Sequence, residues 1–349
     1  MNTHTFRFSS PGALIAALPA VLGFVPEKSL VLVSLEEGRV GAVMRADLST
    51  ELVDNLAQMA EIAGNSGAEQ VVAVVVDADG ALCPMCAEDH VRLFDTLTSA
   101  LQENGIDLYA AHVVDRVEAG GNWRCMDGCG ATGTVEDPAA SPLAAAAVLD
   151  GRRLYGRRAD LRAVVTVADP ARTAELAAPI RSQVAEREEE WRADPDGRGR
   201  RDVETIMALA ERVLAGEQPA DGELARAACA LTDIAVRDTL YALAVGSRAA
   251  AAEALWSLLA RTVPEPWRVE ALVLLAYSAY ARGDGPLAGI ALEAALRSDP
   301  GHRMGGMLDV ALQSGMRPEQ IRELSGTGYR LAKRLGVCLP PRRLFGRAV

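Results

Sequence analysis

Residues 70–76, Gln-Val-Val-Ala-Val-Val-Val, constrain the fold of this chain more than any other stretch. The run is mostly β-branched, so it favours extended backbone. It lacks polar alternation, so both of its faces need cover. A strand of that kind belongs in the middle of a sheet with further layers packed against it.

The neighbouring segments supply such a setting. Apolar runs at 29–35 and 40–47, separated by Glu36-Glu37-Gly38, read as a hairpin. Leu52, Leu56, Met59 and Ala63 recur at helical spacing over 49–64, as do Val91, Phe94, Leu97 and Leu101 over 88–104. Strands follow at 106–114 and 121–124. Ahead of them, Ser10-Pro11 has the form of a helix N-cap with proline at the first helical position, which predicts a helix over 11–22. The apolar stretch from Ala13 to Phe24 follows Arg7 but is interrupted by Pro19, and so reads as that helix rather than a secretion signal. The order of elements is that of an α/β domain, a mixed sheet with flanking helices.

Beyond Pro142 strand signals fade, apart from 162–167, and helix follows helix. The densely charged 181–192 runs into Ala-Asp-Pro-Asp-Gly-Arg-Gly-Arg-Arg at 193–201, which has the composition of a linker. The expected division is an α/β domain over 1–192, a linker over 193–201 and an all-α domain over 202–349. Within the last, Leu274, Leu275 and Tyr277 on one helix, Gly283 at the turn, and Ala288, Ala291 and Ala295 on the next have the pattern of a tetratricopeptide unit. Pro264 and Pro300 punctuate it.

With 349 residues and half of them apolar, the chain can bury two cores. A net charge of -11 argues against a broad nucleic-acid or anionic-membrane surface. The local exception is a basic tail with Arg330, Lys333, Arg334, Arg342, Arg343 and Arg347, read as the solvated end of a helix. The longest later apolar run, 272–281, is too short to span a bilayer, and the expected location is the cytoplasm.

Chemistry concentrates in two cysteine pairs, Cys83-Pro84-Met85-Cys86 and Cys125-Met126-Asp127-Gly128-Cys129. Thiols stay reduced in the cytoplasm, so paired cysteines there point to metal or redox chemistry. Four thiolates, Cys83, Cys86, Cys125 and Cys129, could hold a structural zinc ion that ties two loops, with Gly128 and Gly130 supplying the wider second turn. Alternatively, Cys83 attacks and Cys86 resolves in a thiol–disulfide oxidoreductase, since Cys83 falls where a loop meets a helix N-terminus, which stabilises a thiolate. The thioredoxin arrangement is similar, but no proline occurs between Pro84 and Pro138 to supply the cis-proline those proteins place opposite the dithiol. A third reading is a small-ligand or nucleotide site at the sheet edge, built from Asp77, Asp79 and Ser141. His90 and His112 read as core or surface histidines, and the isolated Cys229 and Cys338 as packing residues. Phosphate-loop, dinucleotide, nucleophile-elbow and zinc-protease motifs are all lacking from the sequence.

Three blocks of residues carry a resemblance over nearly the whole chain. The first is Ser9-Ser10-Pro11, 22–26 (Leu-Gly-Phe-Val-Pro), Ser29-Leu30-Val31 and 45–48 (Arg-Ala-Asp-Leu). The second is Trp123, Cys125, Cys129 and Gly133, leading into Ala140-Ser141-Pro142. The third is Gly283-Asp284-Gly285, Ala288, Ala291-Leu292, Asp299-Pro300, Leu308 and Gly315. Together they resemble an uncharacterised actinobacterial family known as domain of unknown function 4192. The resemblance takes in the second cysteine pair and implies no reaction. From the helix-pair pattern and the missing catalytic motifs, the expectation is a non-catalytic binding or scaffold protein that takes a protein or peptide partner through its helical half, its sheet braced by zinc.

Overall fold

The computed structural model describes residues 10–36, 39–81, 83–149 and 152–342. The turn expected at 37–38 and the basic residues Arg343 and Arg347 lie outside the described residues. The chain divides into two compact units. One takes in residues up to Leu161 with Gln313–Gly315, and the other takes in Arg162–Leu312 and the chain from Met316.

The first unit contains α1 (Pro11–Leu22), β1 (Ser29–Glu36), β2 (Arg39–Asp47), α2 (Leu52–Asn65), β3 (Gln70–Val76), α3 (Pro84–Glu103), β4 (Asp107–Val114), β5 (Asn122–Cys125), β6 (Thr132–Thr134) and α4 (Pro142–Leu149). Helix α5 (Arg158–Arg162) ends it. The sheet order is β2-β1-β3-β4-β5-β6. Only β3 and β4 pair in parallel, joined by α3 as the crossover a parallel pair requires; the other pairings are antiparallel. The valine run is therefore central, as its composition demands.

Alternation along β3 and β4 sorts the two faces. Val71, Ala73, Val75, Ala111 and Val113 share a core with Leu52, Leu56 and Met59 of α2 and Phe94, Leu97 and Leu101 of α3. The opposite face carries His112, Val114 and Trp123, the last two being cross-strand partners. There α1 comes so close that a side chain on Gly12 would collide with the Thr134 carbonyl and touch Trp123 Nε1 at 3.3 Å. Helix α1 begins as its sequence predicts: Ser10 Oγ accepts a hydrogen bond from Ala13 N, and Gly23 ends it at φ 76°.

The second unit holds α6 (Pro170–Glu175), α7 (Ala177–Ala193), α8 (Pro195–Leu214), α9 (Asp221–Ala230), α10 (Ile234–Leu240), α11 (Ala249–Thr262), α12 (Arg268–Ala281), α13 (Gly285–Ser298), α14 (Arg303–Gln313), α15 (Pro318–Arg322) and α16 (Ser325–Leu335). Helices α11, α12 and α13 pack in succession, with Leu272 to Ala276 of α12 fully buried and Ala288, Ala291 and Ala295 of α13 against it. No helix of the described residues is long and apolar enough to cross a membrane.

Two segments differ from the sequence expectation. The presumptive linker is helical from Pro195 onward: Asp194 caps α8 by accepting from Gly197 N at 3.0 Å, and proline fits its first turn. The expected strand at 162–167 is the end of α5 and a turn. Its carbonyls serve side chains instead of a ladder: Val164 O accepts from Ser257 Oγ at 3.1 Å, and Val165 O from the Arg268 guanidinium.

Candidate functional site

The second cysteine pair sits on the turn between β5 and β6. Cys125 closes β5 opposite His112, so its side chain shares the face of His112 and Trp123, the face covered by α1. Its amide donates to Ala131 O at 2.8 Å, and Met126 N continues the ladder to Ala111 O at 2.8 Å. The chain then reverses through Gly128 and Gly130, at φ 84° and 71°, a left-handed backbone that suits glycine at both positions. That reversal brings Cys125, Asp127 and Cys129 together, with one ligand atom from each lying within 4.8 Å of the others.

Electrostatics inside this loop favour a shared proton or cation. Asp127 Oδ1 accepts from Cys129 N at 2.9 Å. Hydrogen bonds from the Cys129 and Cys125 thiols, in that order, hold the Asp127 carboxyl down to about 2. Burial, reinforced by that carboxylate, pushes the Cys125 thiol up to about 12. Cys125 is half-buried, whereas Asp127 and Cys129 are exposed. Beside them His112 is 4 % exposed, stacks edge-on against Trp123 at 5.4 Å, and has no hydrogen-bond partner for Nδ1. Burial lowers its pKa, so the imidazole is neutral, the form that can ligate a metal.

The donor set is one that could hold a metal ion. Around a tetrahedral ion with bonds of about 2.0–2.3 Å, ligand atoms would stand roughly 3.5 Å apart, inside the 4.8 Å within which the three donor atoms lie. Two thiolates and a carboxylate would neutralise the ion with one charge to spare. The fourth position would be open to water, because the ring nitrogens of His112 fall outside the group.

The first pair lies elsewhere. Cys83 is the N-cap residue of α3 and Cys86 is in its first turn, beyond the C-terminal end of β3, and α3 covers the Val71–Ala73–Val75 face. Strand β5 runs antiparallel to β4, so it carries Cys125 to Cys129 away from that end of the sheet and on the other face. The four thiolates of the expected zinc site are not brought together: among the described residues, no metal-ligating group joins Cys83 or Cys86 to Cys125 and Cys129. An ion at the second pair would close one turn rather than tie two loops.

Around the first pair, Asp77 N bonds Val114 O at 2.9 Å at the end of the parallel ladder. The Asp77 carboxylate meets His90 Nε2 at 3.2 Å, with side chains 16 % and 6 % exposed respectively. His90 Nδ1 has no partner. Asp79 instead points to solvent and pairs with Lys28 at 2.7 Å. Ser141 is buried beside α4, and among the described residues no polar contact joins it to either aspartate. The expected Asp77–Asp79–Ser141 site is thus not drawn together.

Sequence reasoning did not single out Asp127 and read His90 only as a core or surface histidine. Asp127 precedes a glycine in a turn, where aspartate is ordinarily a turn former; its place midway between two cysteines was the available signal. His90 meets Asp77 only through the packing of α3 on the sheet, which no local spacing reveals.

A mixed sheet with helices on both faces, followed by a helical unit and carrying thiols on two turns, defines a two-unit α/β-plus-helical protein. Within that class, residues 11–319 match the family described as Domain of unknown function (DUF4192), and the chain belongs to that family. No curated protein and no solved structure matches the chain.

Proposed function

We propose that this chain is a non-catalytic binding protein whose sheet unit holds one zinc ion on Cys125, Asp127 and Cys129. The convergence of those three donor atoms within 4.8 Å on one turn carries the reading. Zinc there would stiffen the β5–β6 turn and displace the Cys125 proton, so binding would be coupled to proton release. All six cysteines are free, and we place the protein in the cytoplasm, where thiols persist.

The helical unit is the half to which we assign a protein or peptide partner. Met307 and Val310 on α14, 58 % and 68 % exposed and three residues apart, support this by presenting apolar surface on one helix face. A Met307→Glu/Val310→Glu variant should lose the partner while keeping its helical content.

The zinc reading is tested by melting the full chain in chelator and then with added zinc. Zinc should raise the melting temperature of wild type and leave Cys129→Ser unmoved. An equal response in both would remove the assignment.

A further inference from the structure

The turn between β3 and α3 contains a second set of reactive groups that the zinc reading does not use. Cys83 and Cys86 are three residues apart around the first turn of α3, which puts both thiols at one helix start. That spacing places the Cα atoms about 5–6 Å apart, within the span a disulfide requires. Pro84 has no amide hydrogen, so the free amides of the first turn begin at Met85. No cap hydrogen bond forms to the Cys83 side chain, but the backbone groups of Cys86 and Met85 favour its thiolate. Both cysteines are half-exposed, and Met85 between them is 79 % exposed, an apolar side chain at the rim of the pair.

Next to Cys86 lies the carboxylate of the Asp77–His90 pair. A Cβ on Gly80 would collide with Asp77 Oδ2 and touch Cys86 Cβ at 3.2 Å, so the carboxylate and Cys86 flank the same small space. The other charges near the sulfurs are Asp89 on α3, which acts on Cys86, and the exposed Lys28–Asp79 pair, whose lysine also senses Asp77. Two thiols at one helix start, a buried imidazole nitrogen without a hydrogen-bond partner and a carboxylate flanking the same space as Cys86 exceed what a helix start needs for its own stability.

We propose that Cys83 and Cys86 form a redox-active dithiol that reduces disulfides presented by peptides or proteins, with Asp77 and His90 as positioning residues for the second thiol. The Cys83 thiolate attacks one sulfur of the substrate disulfide, making a mixed disulfide and releasing the first substrate thiolate, which takes a proton from water. Cys86 then passes its proton to the Asp77–His90 pair, directly or through one water. Its sulfur attacks that of Cys83, forming the Cys83–Cys86 disulfide and expelling the second substrate thiolate, which is protonated in turn. Two electrons leave the dithiol and the substrate becomes two thiols; a low-potential dithiol restores the protein by the reverse exchange. Peptide substrates are favoured because Met85 offers apolar contact beside the exposed nucleophile.

The test uses full-length protein, reduced and freed of reductant, mixed in a single turnover with a disulfide-bonded peptide and, separately, with glutathione disulfide. Mass spectrometry follows the products. Wild type should lose two thiols and gain a Cys83–Cys86 disulfide, faster with the peptide than with glutathione disulfide. Cys86→Ser should accumulate the mixed disulfide on Cys83, and Cys83→Ser should not react at this turn. The Cys125→Ser/Cys129→Ser variant should react like wild type, which separates this inference from the zinc site. His90→Gln should leave formation of the mixed disulfide unchanged and slow its resolution about tenfold or more, with a changed pH profile for that step alone. If Asp77→Asn fails to fold, His90→Gln still decides the positioning role. Wild-type reactivity in Cys83→Ser, or adducts on Cys129 in place of Cys83, would overturn the dithiol. Equal rates with both substrates would overturn the peptide preference.

Discussion

Individual side chains set the chemistry of the two turns in opposite senses. Amide groups lower the Cys83 pKa, whereas the contact with Cys83 raises that of Cys86. Alkylation of the full chain across a pH series, read by mass spectrometry, should therefore modify Cys83 first and Cys86 only at higher pH. Cys83→Ser should bring the Cys86 midpoint down, because the neighbouring negative charge is gone. At the other turn, the depressed Asp127 carboxyl contributes stability at neutral pH, and that contribution is lost as pH falls from the ordinary carboxylate range toward about 2. Asp127→Asn should weaken zinc binding by tenfold or more, as measured by competition with a chromogenic chelator, since even outer-shell partners of a metal are worth about that much. The sulfur donors were visible in the sequence from their spacing. Asp127 was disguised as a turn residue, and the Asp77–His90 contact depends on tertiary packing.

Elements whose sequences carry strong local signals formed where those signals lie. The valine run is the third strand in a sheet of six, and α1 starts at Ser10-Pro11. The stretch at 193–201 shows why composition misleads: glycine, proline and charge suggested a flexible connection, but several weak effects favour helix together. Asp194 caps the start, proline occupies the first turn, and Arg200 pairs with Glu204 one turn on, at 2.9 Å. Arg187, buried between Asp202 and Asp233 at 2.6 and 2.9 Å, adds a tertiary tie that sequence spacing could not show. Asp194→Ala should cost about 1 kcal/mol in denaturant unfolding. Proteases that cut flexible basic segments should spare the bonds after Arg198 and Arg200 in the native protein.

Over the whole molecule, the α/β-then-helical order was legible because hydrophobic period changes from strand-like to helical along the chain. The position of the division was not, because α6 and α7 (Pro170–Ala193) have helical sequences compatible with either unit, and packing alone assigns them to the second. Each unit has its own buried anchors, such as Leu97 in the first and Trp256 in the second. Leu97→Ala should lower stability by about 2–5 kcal/mol and speed amide exchange through β3 and β4; Trp256→Ala should cost about 3–5 kcal/mol and speed it through α11 and α12. Net charge constrains partners only by exclusion, which leaves the thiol-bearing turns as the positive chemical signal.

The central claim, that one turn alone holds zinc, is tested most directly by elemental analysis of three full-length proteins purified without chelator: wild type, Cys83→Ser/Cys86→Ser and Cys125→Ser/Cys129→Ser. Wild type and the first variant should each carry one zinc per chain, and the second variant none. Loss of zinc from the first variant, or its absence from wild type, would contradict the account.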